Sequence, residues 1–232
     1  AASVPVSAFI SPGYDAVAFA VNTGTVSVDT TVTITGSLNG TTRSDTLIVQ
    51  ANWVVGFTLD VSTAVGGHEH PVGTVTLRGA ARPAGQPVSV VSSNTNRAVV
   101  SDPVVVPAGY DAVNCVITTK PATTSGNVTL TASANGKSKA VILRVIPPRL
   151  IEFTLSPSNT LGGVRIGATA TIGHPAPAGL SATITKTSAN VNPPPAVGFA
   201  TGATTKTFNI PTTAVTAWQS SLVRATIGDI TI

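Results

Sequence analysis

Pro12-Gly13-Tyr14-Asp15-Ala16-Val17 returns as Ala108-Gly109-Tyr110-Asp111-Ala112-Val113, 96 residues further along the chain. The same spacing carries Val32-Thr33-Ile34-Thr35 onto Val128-Thr129-Leu130-Thr131 and Asn39-Gly40 onto Asn135-Gly136. It also carries Phe57-Thr58-Leu59 onto Phe153-Thr154-Leu155, and Gly66-Gly67 onto Gly162-Gly163. Separated anchors at one fixed spacing mark an internal repeat, in which each copy is one structural unit. Pro83-Ala84-Gly85 recurs as Pro177-Ala178-Gly179 at a spacing of 94, so the last copy is two residues shorter there.

Inside the unit the apolar residues recur with period two, which is the period of a strand with one buried face. Residues 72–79 alternate Val and Leu with Thr, and 128–134 do the same. Gly66-Gly67, Pro83-Ala84-Gly85, Pro107-Ala108-Gly109 and Asn135-Gly136 punctuate the runs as turns. Asn-Gly between two alternating runs predicts a two-residue hairpin, because both residues tolerate φ > 0. The runs are rich in β-branched Val and Thr, and nothing reads as a capped amphipathic helix. The unit 51–148 yields seven expected strands: 53–61, 72–79, 87–93, 98–106, 111–119, 127–134 and 138–146. Seven short strands in about a hundred residues predict an immunoglobulin-like antiparallel sandwich.

The fold class expected is therefore all-β: tandem immunoglobulin-like antiparallel β-sandwiches, incomplete at both chain ends. Residues 1–50 read as a partial domain holding the last four strands, 51–148 as a complete domain, and 149–232 as a domain lacking most of its last strand. Short linkers fall near Gln50-Ala51-Asn52 and Pro147-Pro148, the second stiffened by its prolines. Two explanations of the ends stand side by side. One is a segment of a longer repeat protein. The other is completion by a neighbouring subunit, with the alternating Val4, Val6, Ala8 and Ile10 as an inter-subunit donor strand.

The pattern resembles the bacterial immunoglobulin-like repeats of large secreted and cell-surface proteins. The residues that carry the likeness are Gly66-Gly67, Gly73-Thr74-Val75-Thr76-Leu77, Pro83-Ala84-Gly85, Ser92-Ser93-Asn94, Val106-Pro107-Ala108-Gly109 and Val128-Thr129-Leu130-Thr131-Ala132. That resemblance implies spacing, display or adhesion outside the cell, and supplies no catalytic residue. The Cys–Trp–Cys hallmark of antibody domains is missing.

Composition points the same way. Charged residues make up 9% of the 232, against roughly 25% in an ordinary soluble domain. Aromatics make up 4%, so the apolar content is mostly Val, Ala, Ile and Leu. A surface built from Thr, Ser, Asn and Gln repels its neighbours weakly and favours self-association. The net charge of +4 comes from 13 basic and 9 acidic residues. Because no Lys/Arg cluster is interleaved with aromatics, a nucleic-acid groove is not expected. No apolar run is long enough to span a bilayer, and no signal peptide is visible. Extracellular or cell-surface localisation is expected, with signal and anchor outside this chain.

Candidate chemistry is sparse. His68-Glu69-His70 is the one local cluster with metal-ligand character, since alternate strand residues face one side and two imidazoles can share a metal. It lacks a third ligand and follows a Gly-Gly turn, so a solvated loop is the simpler expectation, with no metal and no cofactor. Asp60, Glu69 and Glu152 near the junctions form no calcium pattern. Cys115 falls where the other copies hold Phe19 and Phe208, which predicts a core position and an inert thiol, with no internal disulfide. Asp15 and Asp111 read as turn residues bonding their own backbone. Tyr14 and Tyr110 are expected to pack at a domain end, and Trp53 between units. Trp218 lies just before the sixth strand of the last unit. Asn39-Gly40-Thr41 and Asn127-Val128-Thr129 match the glycosylation sequon. The function expected is non-catalytic and structural, a stalk, adhesin shaft or self-assembling fibre subunit. The alternative is a carbohydrate- or receptor-binding module of a larger secreted protein, with a glycan or host-surface ligand as partner.

Overall fold

The computed structural model describes residues 1–101 and 103–232. Among them there is no helix, and strands account for all the regular structure. The first stretch holds four strands: β1 (Ala2–Ser3), β2 (Asn22–Thr23), β3 (Thr30–Leu38) and β4 (Thr41–Val49). β1 pairs with β2, and β3 with β4, both antiparallel. The β3–β4 turn is Asn39-Gly40, with φ of 51° and 79°. Both residues are left-handed, as a type I′ hairpin requires.

The next stretch folds into two facing sheets. β5 (Val54–Leu59), β7 (Val72–Leu77), β11 (Ala112–Thr119) and β9 (Ala98–Val100) form one, in that order. The other has the order β10-β8-β12-β13-β6: Val104–Val106, Gln86–Ser92, Gly126–Ala134, Lys137–Ile146 and Thr63–Val65. Alternation sets which side is buried. In β7, Gly73, Val75 and Leu77 face in while Val72, Thr74 and Thr76 are half-covered. Val128, Leu130 and Ala132 of β12 meet Leu143 and Val145 of β13 and Ile117 of β11 in one apolar cluster. A fully buried Leu or Val contributes about 1.5–3 kcal/mol, so these inward rows hold the two sheets together.

Two sequence expectations are corrected here. The run 98–106 is not one strand: β9 pairs with β11 in one sheet, and β10 with β8 in the other. Pro103 stands between them, and its missing N–H interrupts a ladder. Asp102, inside that expected strand, lies outside the described residues. The second correction is β6, three residues that pair parallel to β13 after the chain crosses from one sheet to the other.

The last stretch repeats the plan. β14 (Leu150–Ser156), β15 (Ile166–Ile172) and β18 (Thr205–Ile210) make one sheet. The second has the order β17-β16-β19-β20: Ala196–Gly198, Ser181–Lys186, Val223–Ile227 and Ile230–Thr231. Leu150, Ile166, Ile172, Leu180, Ile184 and Ile210 are among the residues of its separate apolar cluster.

The repeat holds down to register. Ala2↔Thr23 and Ser3↔Asn22 in the first stretch match Ala98↔Thr119 and Val99↔Thr118, 96 residues on. The β3–β4 hairpin likewise matches β12–β13. Residues 4–21, by contrast, form no strand. Their counterparts pair with β7 and β8, and residues 1–50 contain no equivalents of those partners. Val4, Val6, Ala8 and Ile10 are accordingly exposed and unpaired.

Candidate functional site

Two sets of polar contacts join one stretch of strands to the next. At the first junction, Asp29 precedes β3 and Arg78 follows β7. Asp29 Oδ1 accepts the Ala51 N–H at 2.8 Å, and Arg78 Nη1 lies 3.1 Å from Asp29 Oδ2. The guanidinium carbon of Arg78 stands 4.4 Å from the centre of the Trp53 ring, within cation–π range. Trp53 thus sits at a junction, as the sequence suggests, and reaches the preceding hairpin through Arg78.

The Ala51 N–H, with Arg78 beside it, holds the Asp29 carboxyl below its ordinary value of 3.8. A carboxyl whose folded value is depressed supports the junction above its unfolded value, and that support is lost as pH falls through the folded one. Acidification below about pH 4 is therefore expected to change Trp53 emission in a Trp218→Phe background. The change should be absent in Asp29→Asn.

At the second junction, His68 Nε2 lies 3.0 Å from the Pro175 carbonyl oxygen. The His68 and His174 rings approach to 5.1 Å between centroids, 32° from parallel. Arg144 of β13 pairs with Asp229 in the turn after β19. The backbone at Gly228 comes up against Pro147 and Ser125. Three of these positions are repeat equivalents of residues in the first set: Arg78 corresponds to His174, Asp29 to Ser125 and Ala51 to Pro147, each 96 residues apart. The same three positions of the repeat lie at both junctions, but their partners differ: Arg78 meets Asp29, whereas His174 meets His68 and Ser125 lies against Gly228.

His68 and His70 do not share a face. Residues 66–68 form a turn rather than a strand, so alternation does not apply. His70 Nδ1 instead accepts the Thr119 N–H at 3.2 Å. Thr119, the buried polar residue of this unit, donates its hydroxyl to the Glu69 carbonyl at 2.6 Å and accepts the Gly67 N–H at 3.0 Å. Glu69 Oε2 accepts the Val65 N–H at 2.7 Å, and Asp60 Oδ1 accepts those of Val61 and Val72. The acidic side chains of this loop are spent on backbone. Among the described residues, no group of three or more His, Cys, Asp or Glu side chains stands together as a metal cluster.

Cys115 lies in the core at 6% exposure, as its Phe counterparts suggest. Burial pushes its thiol above the ordinary 9.0, with a smaller opposing effect from Gly73. A raised folded value means the neutral thiol's contribution is intact below the unfolded value and is lost as pH rises past it. The native chain should resist thiol reagents at pH 8 and label at Cys115 only on unfolding. Stability should decline above about pH 9 in the native chain more than in Cys115→Val.

Tyr14 and Tyr110 are corrected. Their rings are 74% and 67% exposed and do not pack at a domain end. What the Gly-Tyr-Asp repeat supplies is backbone. Gly109 takes φ of 82°, the Gly109 N–H donates to Ala81 O, and Ala81 N–H donates to Tyr110 O. Asp111 contributes its carbonyl, which accepts the Leu77 N–H at 2.7 Å.

Trp218 is 90% exposed on the loop before β19 and borders a cavity of about 730 Å³. Leu155, Leu161, Val191 and Val215 line it, with Asn159 and Gln219 among the polar groups. β12 and β19 end at equivalent residues, Ala134 and Ile227, so Trp218 occupies the position of Ser125 and Asp29.

The fold so described is a series of antiparallel, immunoglobulin-like β-sandwiches. No protein-family model matches the chain, and no curated protein matches its sequence. Among solved structures, the D0-D1 domain of Intimin aligns at 19% identity and a TM-score of 0.36, over 77% of this chain and 93% of that one. The D00-D0 domain of Intimin aligns at 16% identity and a TM-score of 0.33, over 64% of this chain and 78% of that one. Domains 4-9 of the surface layer protein SbsC align at 17% identity and a TM-score of 0.32, over 88% of this chain and 34% of that one. These overlaps are loose and assign no function.

Proposed function

We propose that the chain is a non-catalytic structural protein of the bacterial cell surface or extracellular space, working as stalk, adhesin shaft or self-assembling fibre subunit. The observation that carries this reading is the reuse of the same repeat positions at both junctions: residue 78 or 174 of a following sandwich meets the sandwich before it, and residue 29 or 125 meets the one after. A contact between two different patches of the same unit is heterologous, and repeated it extends without closing. Trp218 presents the same position again, exposed and beside a cavity of mixed polar and apolar lining. The charge-poor, Thr-rich surface supports close association.

In the fibre form of this reading, Val4, Val6, Ala8 and Ile10 form a strand in a neighbouring subunit. Such a strand adds to a sheet edge through main-chain hydrogen bonds. Electron microscopy of the purified chain at high concentration tests it. Ordered filaments or end-to-end rods are the expected result, weakened by Val6→Asp. A monodisperse monomer at all concentrations would refute fibre assembly.

A second reading, a carbohydrate- or receptor-binding module, draws on Trp218 and its cavity. An exposed aromatic beside polar amides is a platform suited to a sugar ring. Glycan-array binding that disappears in Trp218→Ala would favour it.

A further inference from the structure

The chain has three histidines, and all of them lie at the second junction: His68 and His70 in the loop after β6, His174 in the loop after β15. His68 and His174 come from opposite sides of the junction and meet with ring centroids 5.1 Å apart. Two imidazoles bound through nitrogen at 2.0–2.1 Å to one tetrahedral ion have centroids about 5 Å apart. The rings therefore already stand at the separation a shared ion requires.

A second observation concerns the other nitrogen of His68. Its Nε2 faces the Pro175 carbonyl oxygen at 3.0 Å, and a carbonyl only accepts, so Nε2 carries the proton. That leaves the Nδ1 lone pair free. A ring N–H given to a backbone carbonyl is the usual means by which a metal-binding histidine is fixed in tautomer and orientation. His68 is exposed and His174 half-buried, so an ion and its waters have access.

We propose that His68 and His174 together bind one late divalent transition-metal ion, of the zinc, nickel or copper class, across the junction. Imidazole donors select that class over calcium or magnesium, which need carboxylate and carbonyl oxygens. The nearby carboxylates are committed elsewhere, Glu69 to the Val65 N–H and Asp229 to Arg144. With two protein ligands the remaining positions are taken by water, which makes the site open and exchangeable rather than a buried structural centre. Its effect is to tie the two sandwiches flanking Pro147-Pro148 into one body.

Titration calorimetry of the 232-residue chain with zinc sulfate alone tests the assignment. One equivalent per chain is expected, with affinity reduced about tenfold or more in both His68→Ala and His174→Ala and unchanged in His70→Ala. His68→Gln and His174→Gln, which keep the polar surface, should lose zinc to the same degree while their circular dichroism matches the parent. Calcium chloride should give no heat of binding. Absence of stoichiometric zinc binding by the parent chain would overturn the proposal. So would binding that survives either His68 or His174 substitution, or that depends equally on His70.

Discussion

Gly66→Ala is expected to destabilise the middle sandwich by about 2–3 kcal/mol, read as a lower midpoint in denaturant unfolding at unchanged slope. A Cβ at Gly66 would stand 2.5 Å from the Lys120 carbonyl oxygen, 2.9 Å from Ala122 Cβ and 3.0 Å from Val145 Cγ1. The nearest obstacle is backbone, which cannot swing aside as a flexible side chain does. Gly162, its repeat partner, is confined in the same way, 2.7 Å from the Thr213 carbonyl oxygen and 2.8 Å from the Val215 nitrogen. The following residue is constrained by conformation: Gly67 and Gly163 take φ of 79° and 89°. Gly-Gly recurs because the first residue must be narrow and the second left-handed. A Gly66→Ala midpoint equal to that of the parent would contradict the close approach.

Leu130→Ala should cost more, about 2–5 kcal/mol, because it opens a cavity in a fully packed core. Leu130 is 0% exposed in β12, between β8 and β13, and faces the opposite sheet. The repeat supplies its control. Ile34 occupies the same place in β3 and the same register with β4, yet it is only half-buried and no second sheet covers it. Ile34→Ala should cost about 1 kcal/mol or less. Measuring the pair side by side separates what the hairpin contributes from what the sandwich contributes. Equal losses at both positions would mean that the first hairpin is covered as the middle one is.

Much of this was legible in the residues because it is local or repeated. Val/Thr alternation placed β7 and β12, Asn-Gly fixed both hairpin turns, and the alignment of Cys115 with Phe19 and Phe208 put the thiol in the core. β6 was invisible because Thr63-Ala64-Val65 is too short to show a period, and its partner is the end of β13. The run 98–106 read as one strand because Val on both sides of Pro103 gives no sign that the chain changes sheet. The exposed rings of Tyr14 and Tyr110 show a motif retained for its backbone, which letters report as side chains.

The junction contacts were the least legible, being pairs from distant segments: Asp29 with Arg78, His68 with His174. A signal was present, since the 96-residue spacing places Arg78 and His174 at one position of the fold. His68-Glu69-His70 gives no sign of the approach of His68 to His174, because residues 66–68 form a turn and the second ring comes from a distant segment. The repeat locates a contact surface, and only the folded geometry pairs its residues.

Hydrogen exchange along the 232-residue chain tests most directly whether two separate two-sheet cores carry the architecture. The account predicts slow exchange in β7, β11, β12 and β13, and again in β15, β16 and β19. The β3–β4 hairpin should exchange far faster than β12–β13 despite identical register, and residues 4–21 should be unprotected. Uniform protection from residue 4 onward, or protection confined to one of the two clusters, would contradict it.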